Sequence, residues 1–320
     1  MNVLVTGGLG VNGAPVVRKL VERGVTPIVV DIRPDLTLLG AEIAKKIQLV
    51  QADSGDASAM NLLLKHRSLD CIIHMAAVVG DAQVDPLETV RVNVYGTVQL
   101  MALACEHKVR RFVFTSSRGA YGGLTGSAAH PTYVPVAEDH PLRPAAVYDV
   151  CKVAAEGIGR NYAKDRGLEF VALRFSTIFG PGKTLRHKNY GIVSRVIEDG
   201  LAGVPVRVAG GDQQDDMIYV EDAAEAILAA ANAAKPAYTE YNISNGRGYT
   251  LHDLAAAVRA LRPDADIEIR PGLNYMGWDT NYAGVLDNRR ASADLGFRPS
   301  FDLHAAVADY AQRMASLPRS

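Results

Sequence analysis

Tyr148 and Lys152 stand four residues apart in the run Tyr148-Asp149-Val150-Cys151-Lys152. That spacing brings both side chains to one face of a helix, one turn from each other. Together they can make a base. A phenol loses its proton near pH ~10, so a tyrosine base at neutral pH needs about 4 kcal/mol of help. Burial alone works in the wrong direction. A lysine cation at about 4 Å, in an effective dielectric near 20, offers about 4 kcal/mol in the right one. The spacing arises often by chance, so the rest of the chain has to supply the pair with something to act on.

The second group of chemistry-bearing residues is Gly7-Gly8-Leu9-Gly10-Val11-Asn12-Gly13. Gly7, Gly10 and Gly13 follow a short apolar run, Val3-Leu4-Val5-Thr6, and open a helical stretch. Glycines there permit a tight turn and let the backbone N–H groups of the turn, Val11 and Asn12 among them, approach a pyrophosphate at the helix terminus. Asp31 ends the next apolar run. A carboxylate at that place accepts hydrogen bonds from an adenosine ribose and repels a 2′-phosphate, which favours NAD over NADP; Arg33 nearby leaves room for NADP. Asp53 follows the third run, where it can meet the adenine amino group or cap the helix that begins near Ala57. His74-Met75-Ala76-Ala77 ends the fourth run, and the small side chains Ala76 and Ala77 let a ribose come close. The eight histidines show no metal-ligand spacing, so no metal is expected.

These residues need a frame. Val3–Thr6, Ile28–Val30, Ile47–Val50, Cys71–His74 and Arg111–Thr115 alternate with helical stretches from about Gly10 to Arg23, Ala57 to His66 and Glu88 to His107. Strands separated by helices require a parallel sheet with right-handed crossovers. The expected fold class is α/β, a Rossmann-like doubly wound parallel sheet with a smaller C-terminal substrate lobe. Residues 1–175 and 218–246 are assigned to the dinucleotide-binding domain, and 176–217 and 247–320 to the lobe. A Gly/Ser/Pro-rich span of about thirty residues precedes the helix that carries Tyr148, and a loop that long in a compact domain is usually functional.

Composition narrows the classes. At 320 residues, 48% hydrophobic and 22% charged, with a net charge of -1, the chain reads as an ordinary globular protein without a basic surface for nucleic acid. Cys71, Cys105 and Cys151 have no paired spacing, a reduced, intracellular pattern. No apolar run reaches membrane-spanning length. A cytoplasmic protein is expected.

Jointly, the glycine triplet, Asp31, Asp53, His74-Met75-Ala76-Ala77, Asn93-Val94-Tyr95-Gly96-Thr97, Ser116-Ser117-x-x-Ala120-Tyr121-Gly122, Tyr148-x-x-x-Lys152 and Leu173-Arg174…Gly180-Pro181-Gly182 resemble the extended short-chain dehydrogenase/reductase family, also called the NAD-dependent epimerase/dehydratase family. The resemblance covers essentially the whole chain. It implies NAD as cofactor, with Asn93 among the cofactor residues, and Ser117, Tyr148 and Lys152 as the catalytic trio. Tyr148 would exchange the hydroxyl proton, Ser117 would bond the reacting oxygen, and Lys152 would hold the nicotinamide ribose. It also implies a homodimer joined by the Glu88–His107 and Tyr148–Arg166 helices.

Departures from the pattern shape the substrate expectation. The 4,6-dehydratases of the family carry an Asp-Glu pair after the catalytic hydroxyl residue, where this chain has Arg118-Gly119. Sugar-nucleotide epimerases place Asn where Thr177 stands and Arg where Asp215 stands; an Asp there would repel a diphosphate. The second half of the chain, with Met217-Ile218-Tyr219-Val220-Glu221-Asp222, is most similar to short-chain L-threonine 3-dehydrogenases. The expected function is therefore an NAD-dependent oxidoreductase acting on a secondary alcohol of a small hydroxylated substrate, acidic ones included. The alternatives are a sugar-nucleotide 4-epimerase with tightly held NAD and a non-catalytic NAD-binding regulator. Arg118, Thr177, Asp215 and the cationic loop Arg186, His187, Lys188 with Tyr190 are the candidate substrate residues, and Tyr275 and Trp278 can cover the pocket or pack the lobe.

Overall fold

The computed structural model describes residues 1–79, 85–186 and 191–316. Seven strands form one sheet: β1 (Val3–Thr6), β2 (Ile28–Asp31), β3 (Gln48–Gln51), β4 (Cys71–His74), β5 (Arg111–Ser117), β6 (Glu169–Phe175) and a strand at Glu240–Ile243. They lie in the order Glu240–Ile243, β6, β5, β4, β1, β2, β3, and every pairing is parallel. The order reverses between β1 and β4, so the carboxyl ends of these two strands flank the crevice where such sheets bind ligands. Both faces are covered. One packs on the helices Gly13–Glu22 and Val220–Asn232 around Val5, Val17, Ile73 and Ile227. The other packs on Ala57–Leu64, Thr97–Glu106 and Val147–Arg166 around Leu4, Met60, Phe112 and Phe170. That two-sided burial explains the near-continuous apolar strands.

After β6 the chain leaves this sheet. Strand β7 (Thr177–Phe179) pairs in parallel with β9 (Asp215–Tyr219), and β11 (Gly248–Tyr249) joins β9 antiparallel; β8 (Val206–Ala209) pairs with β12 (Ile267–Arg270). The helices Ile192–Ala202, Leu251–Leu261 and Leu303–Ser316 close a separate core around Tyr219, Leu254 and Tyr310. Met217-Ile218-Tyr219 thus pairs outside the seven-stranded sheet, with Met217 and Tyr219 in the lobe core and Ile218 in the core of the large sheet, and the helix Val220–Asn232 then packs on the large sheet. With that helix in place the Glu240–Ile243 strand, β10, completes the sheet edge. Arg111, fully buried, donates to the carbonyls of Ala230, Ala231 and Ala233 at the end of that helix, where positive charge is favoured.

Two further details depart from the sequence reading. The stretch from Glu88 to His107 is not one regular α-helix: Pro86–Val90 and Thr97–Glu106 are joined by a π-helical turn, Arg91–Gly96. The long span before Tyr148 is largely irregular, with short 3-10 turns at Arg118–Tyr121 and Gly126–Ala128 and a bridge from Val136 to Leu286 of the lobe.

Candidate active site

One cavity of about 1600 Å³ runs along the carboxyl edge of the sheet and under the lobe. At one end lies the glycine turn. Gly7 has φ +67, and a Cβ there would stand 2.7 Å from the Ala76 nitrogen; a Cβ on Gly13 would stand 2.2 Å from the Gly7 carbonyl. The turn and the Ala76-Ala77 segment thus approach each other at distances only glycine allows. Asp31 accepts hydrogen bonds from the backbone of Leu9 (3.0 Å) and Arg33 (3.1 Å), which fixes its carboxylate beside the turn. The Asn12 side-chain oxygen is buried at the mouth of the first helix without a partner among the described residues. Gly10, Val11, Asp31, Asp53, Ala76 and Ala77 all line the cavity. A narrow cradle, an acidic ribose acceptor and an orphaned polar atom fit a dinucleotide.

Asp53 lines the cavity and Asn93 does not. Asp53 does not cap the following helix; Asp56 does, accepting from Ser58 and Ala59, and Asp53 instead pairs with Arg91 at 3.0 Å on the cavity wall. Asn93 spends both ends of its amide on the Val78 backbone (2.8 and 2.7 Å), so it shapes the β4 exit rather than lining the cavity. His74 bridges the hydroxyls of Thr6 and Thr97 at 2.7 and 2.9 Å, and burial lowers its pKa to about 3. It is a neutral strut.

At the centre, the helix Val147–Arg166 sets Tyr148, Lys152 and Glu156 along one face. Lys152 is buried, donates to the Thr115 carbonyl at 2.7 Å, and lies 5.3 Å from the Tyr148 ring centroid. Burial pulls its pKa down to about 8 against the opposing pull of Glu156. Glu156 is itself held by Arg174 (2.6 Å) and Ser116 (2.5 Å). Ser117 ends β5, and its Oγ accepts from the Gly119 N–H at 3.0 Å. That bond leaves the Ser117 proton available to a substrate oxygen. Ser117, Tyr148 and Lys152 all line the cavity.

Around this trio the sequence reading missed several partners. Asp149, next to Tyr148, is buried; it accepts from Ala146 N–H (3.1 Å) and from the Tyr282 hydroxyl (2.7 Å). Burial raises its pKa. A Cβ at residue 119 would lie 2.0 Å from Asp149 Oδ1, so Gly119 is the space this carboxylate needs. The signal was present as an unusual acid inside the Tyr-x-x-x-Lys run, but its partner lies 133 residues away.

The substrate side holds the main correction. Asp215 does not present its charge to the cavity. It is fully buried and takes two hydrogen bonds from Arg118, one from Thr177 (2.8 Å) and one from Tyr275 (2.6 Å). Burial works against the Arg118 charge, yet the Asp215 carboxylate keeps it protonated. Arg118 and Thr177 line the cavity and Asp215 stands behind them. Tyr275 is therefore a packed member of this cluster, and both it and Trp278 border the cavity. Arg186 closes the short helix Lys183–Arg186; His187, Lys188 and Tyr190 lie outside the described residues.

The glycine cradle, the acid at the end of β2 and the Ser117–Tyr148–Lys152 trio sit in one cavity, and the model of the NAD dependent epimerase/dehydratase family matches residues 3–244. The chain belongs to that family. Its expected α/β dinucleotide fold and NAD dependence stand with it. A UDP-glucose 4-epimerase of Mycolicibacterium smegmatis is 30% identical, the match covering 96% of each chain. A putative UDP-glucose 4-epimerase of Methanocaldococcus jannaschii is 28% identical over 95% of each. Among solved structures, the UDP-glucose 4-epimerase of Thermotoga maritima with UDP-glucose superposes with a TM-score of 0.84 at 26% identity, covering 99% of both chains. That of Thermus thermophilus with NAD gives 0.81 at 26%, covering 98% of this chain and 99% of its own.

Proposed function

We propose that this enzyme is a sugar-nucleotide 4-epimerase that keeps NAD bound and oxidises and re-reduces one secondary carbinol. The observation that carries the reading is full-length similarity to UDP-sugar 4-epimerases at a site whose cavity, about 1600 Å³, exceeds the roughly 300–1,000 Å³ of a single-ligand pocket. This reverses the order of preference reached from sequence, because the Asp215 charge that argued against a diphosphate is neutralised by Arg118.

Bound NAD supplies the hydride acceptor. Gly7, Gly10, Val11, Asn12 and Gly13 would hold its pyrophosphate, Asp31 its adenosine ribose and Lys152 its nicotinamide ribose. Tyr148 takes the substrate hydroxyl proton as the carbon loses hydride and returns it in the reverse step. Ser117 donates to the same oxygen, and the Lys152 cation favours the tyrosinate form of Tyr148. Arg118 and Thr177 meet the sugar side.

A net dehydrogenase of a small hydroxylated compound is the second reading, favoured by one feature: position 215 is Asp, paired with Arg118, and so supplies no arginine for a diphosphate. The two separate in one assay. With UDP-glucose and no added NAD, a 4-epimerase forms UDP-galactose and accumulates no NADH; NADH building up with turnover once excess NAD is added, or inertness toward every UDP-sugar, would reject the epimerase. The homodimer is part of the proposal as well. The two helical stretches implied by the family, Glu88–His107 and Tyr148–Arg166, carry exposed Val90, Tyr95 and Val150 and pack side by side.

A further inference from the structure

The cavity contains a cation that none of the roles above uses. Lys183 begins the short helix after β7 and lines the cavity, partly buried. The other cavity cations are occupied or exposed. Arg118 is held by Asp215, Arg91 by Glu88 and Asp53, and Lys152 by the Thr115 carbonyl, while Arg33 and Arg195 are exposed. Among the described residues Lys183 has neither a carboxylate nor a hydrogen-bond acceptor for its ammonium. A partly buried cation without a partner carries a desolvation cost, and a ligand that brings the anion offsets it. Burial alone lowers its pKa to about 8, the behaviour of an ammonium lacking a counter-charge.

Its backbone is placed with little freedom. Gly180 packs on Val220, where a Cβ would be 2.4 Å from a Val220 methyl, at the start of the helix that lies against Gly13–Glu22. Gly182, at φ +88, packs on Leu38, where a Cβ would be 2.5 Å from a leucine methyl. Leu38 belongs to the segment that follows Asp31. The Gly180–Gly182 turn is thus wedged between the two elements that flank the glycine cradle, and Lys183 enters the cavity from that wedge.

We propose that Lys183 is a phosphate ligand of this active site, its ammonium receiving a pyrophosphate that binds in the cavity. Its place beside the elements of the cradle favours the pyrophosphate of the dinucleotide; the diphosphate of a nucleotide sugar has the same chemistry and rests on the function proposed above. Calorimetric titration of the full-length protein with NAD, ADP-ribose and UDP tests it with Lys183→Ala, Lys183→Gln and Lys183→Arg. The expected result is roughly 10- to 100-fold weaker binding of NAD and ADP-ribose in the Ala and Gln variants, recovered largely by Arg. Loss confined to UDP assigns Lys183 to the substrate instead. Affinities for all three ligands within about twofold of the parent, in folded variants, would overturn the proposal. A parent protein that does not bind UDP counts against the nucleotide-sugar reading, and the NAD and ADP-ribose titrations then decide Lys183 alone. Thermal melts identify any variant that fails to fold, and the Gln and Arg pair keeps the comparison alive if Ala does.

Discussion

Replacing Tyr148 with Phe removes the oxygen that exchanges a proton with the substrate while leaving the ring on Lys152. Turnover should fall by about 10²–10⁴ with NAD affinity retained, read by product formation and cofactor titration. Lys152 adds a pH dependence. Its ammonium is held down to about 8 by burial, so the cation beside Tyr148 is present below that pH and lost above it. The rate should therefore decline as pH rises through about 8. Glu156 props that cation up, so Glu156→Gln should move the decline to lower pH in a pH–rate profile. The same change should cost about 3–5 kcal/mol of stability, because Arg174 is left buried and unpaired. Tyr148, Lys152, Ser117 and the glycines were legible in the sequence because their roles follow from local spacing. The state of Asp215 was not, because its sign at the cavity depends on Arg118, 97 residues away.

At the scale of elements, the exit of β5 and the start of the Val147–Arg166 helix fit through one missing side chain. Gly119→Ala sets a methyl on the Asp149 carboxylate and should lower stability by about 1–3 kcal/mol, with turnover falling through displacement of Ser117 and Tyr148. Adding Asp149→Ala should recover part of the loss, a coupling that a double-mutant cycle in thermal denaturation would measure. If the two changes simply add, the close approach is not the cause. Most strands of the large sheet were evident from their apolar runs. The pairing of β9 outside the large sheet was hidden, because a buried strand reads the same in either sheet and only its partners, β7 and β11, distinguish them. The π-helical turn at Arg91–Gly96 was equally invisible, since it changes hydrogen-bond register and leaves the apolar periodicity intact.

For the molecule as a whole, the exposed Tyr95 and Val150 sit on the proposed dimer helices. Charged substitutions there, Tyr95→Asp with Val150→Asp, should convert a dimer into a monomer in sedimentation, while an unchanged mass would remove these helices from the interface. No helix of the described residues is long and apolar enough to cross a membrane. The Arg118–Asp215 pair joins the end of β5 to β9 behind the cavity wall. That pair constrains how the site can be altered by stepwise change. Installing Arg at 215 while Arg118 remains crowds two cations in one buried space; removing Arg118 first strands Asp215. Either single step costs about 3–5 kcal/mol. Positions 118 and 215 are therefore expected to be tolerated only as a matched set, so a library that varies them one at a time will lose the folded variants that varying them together retains.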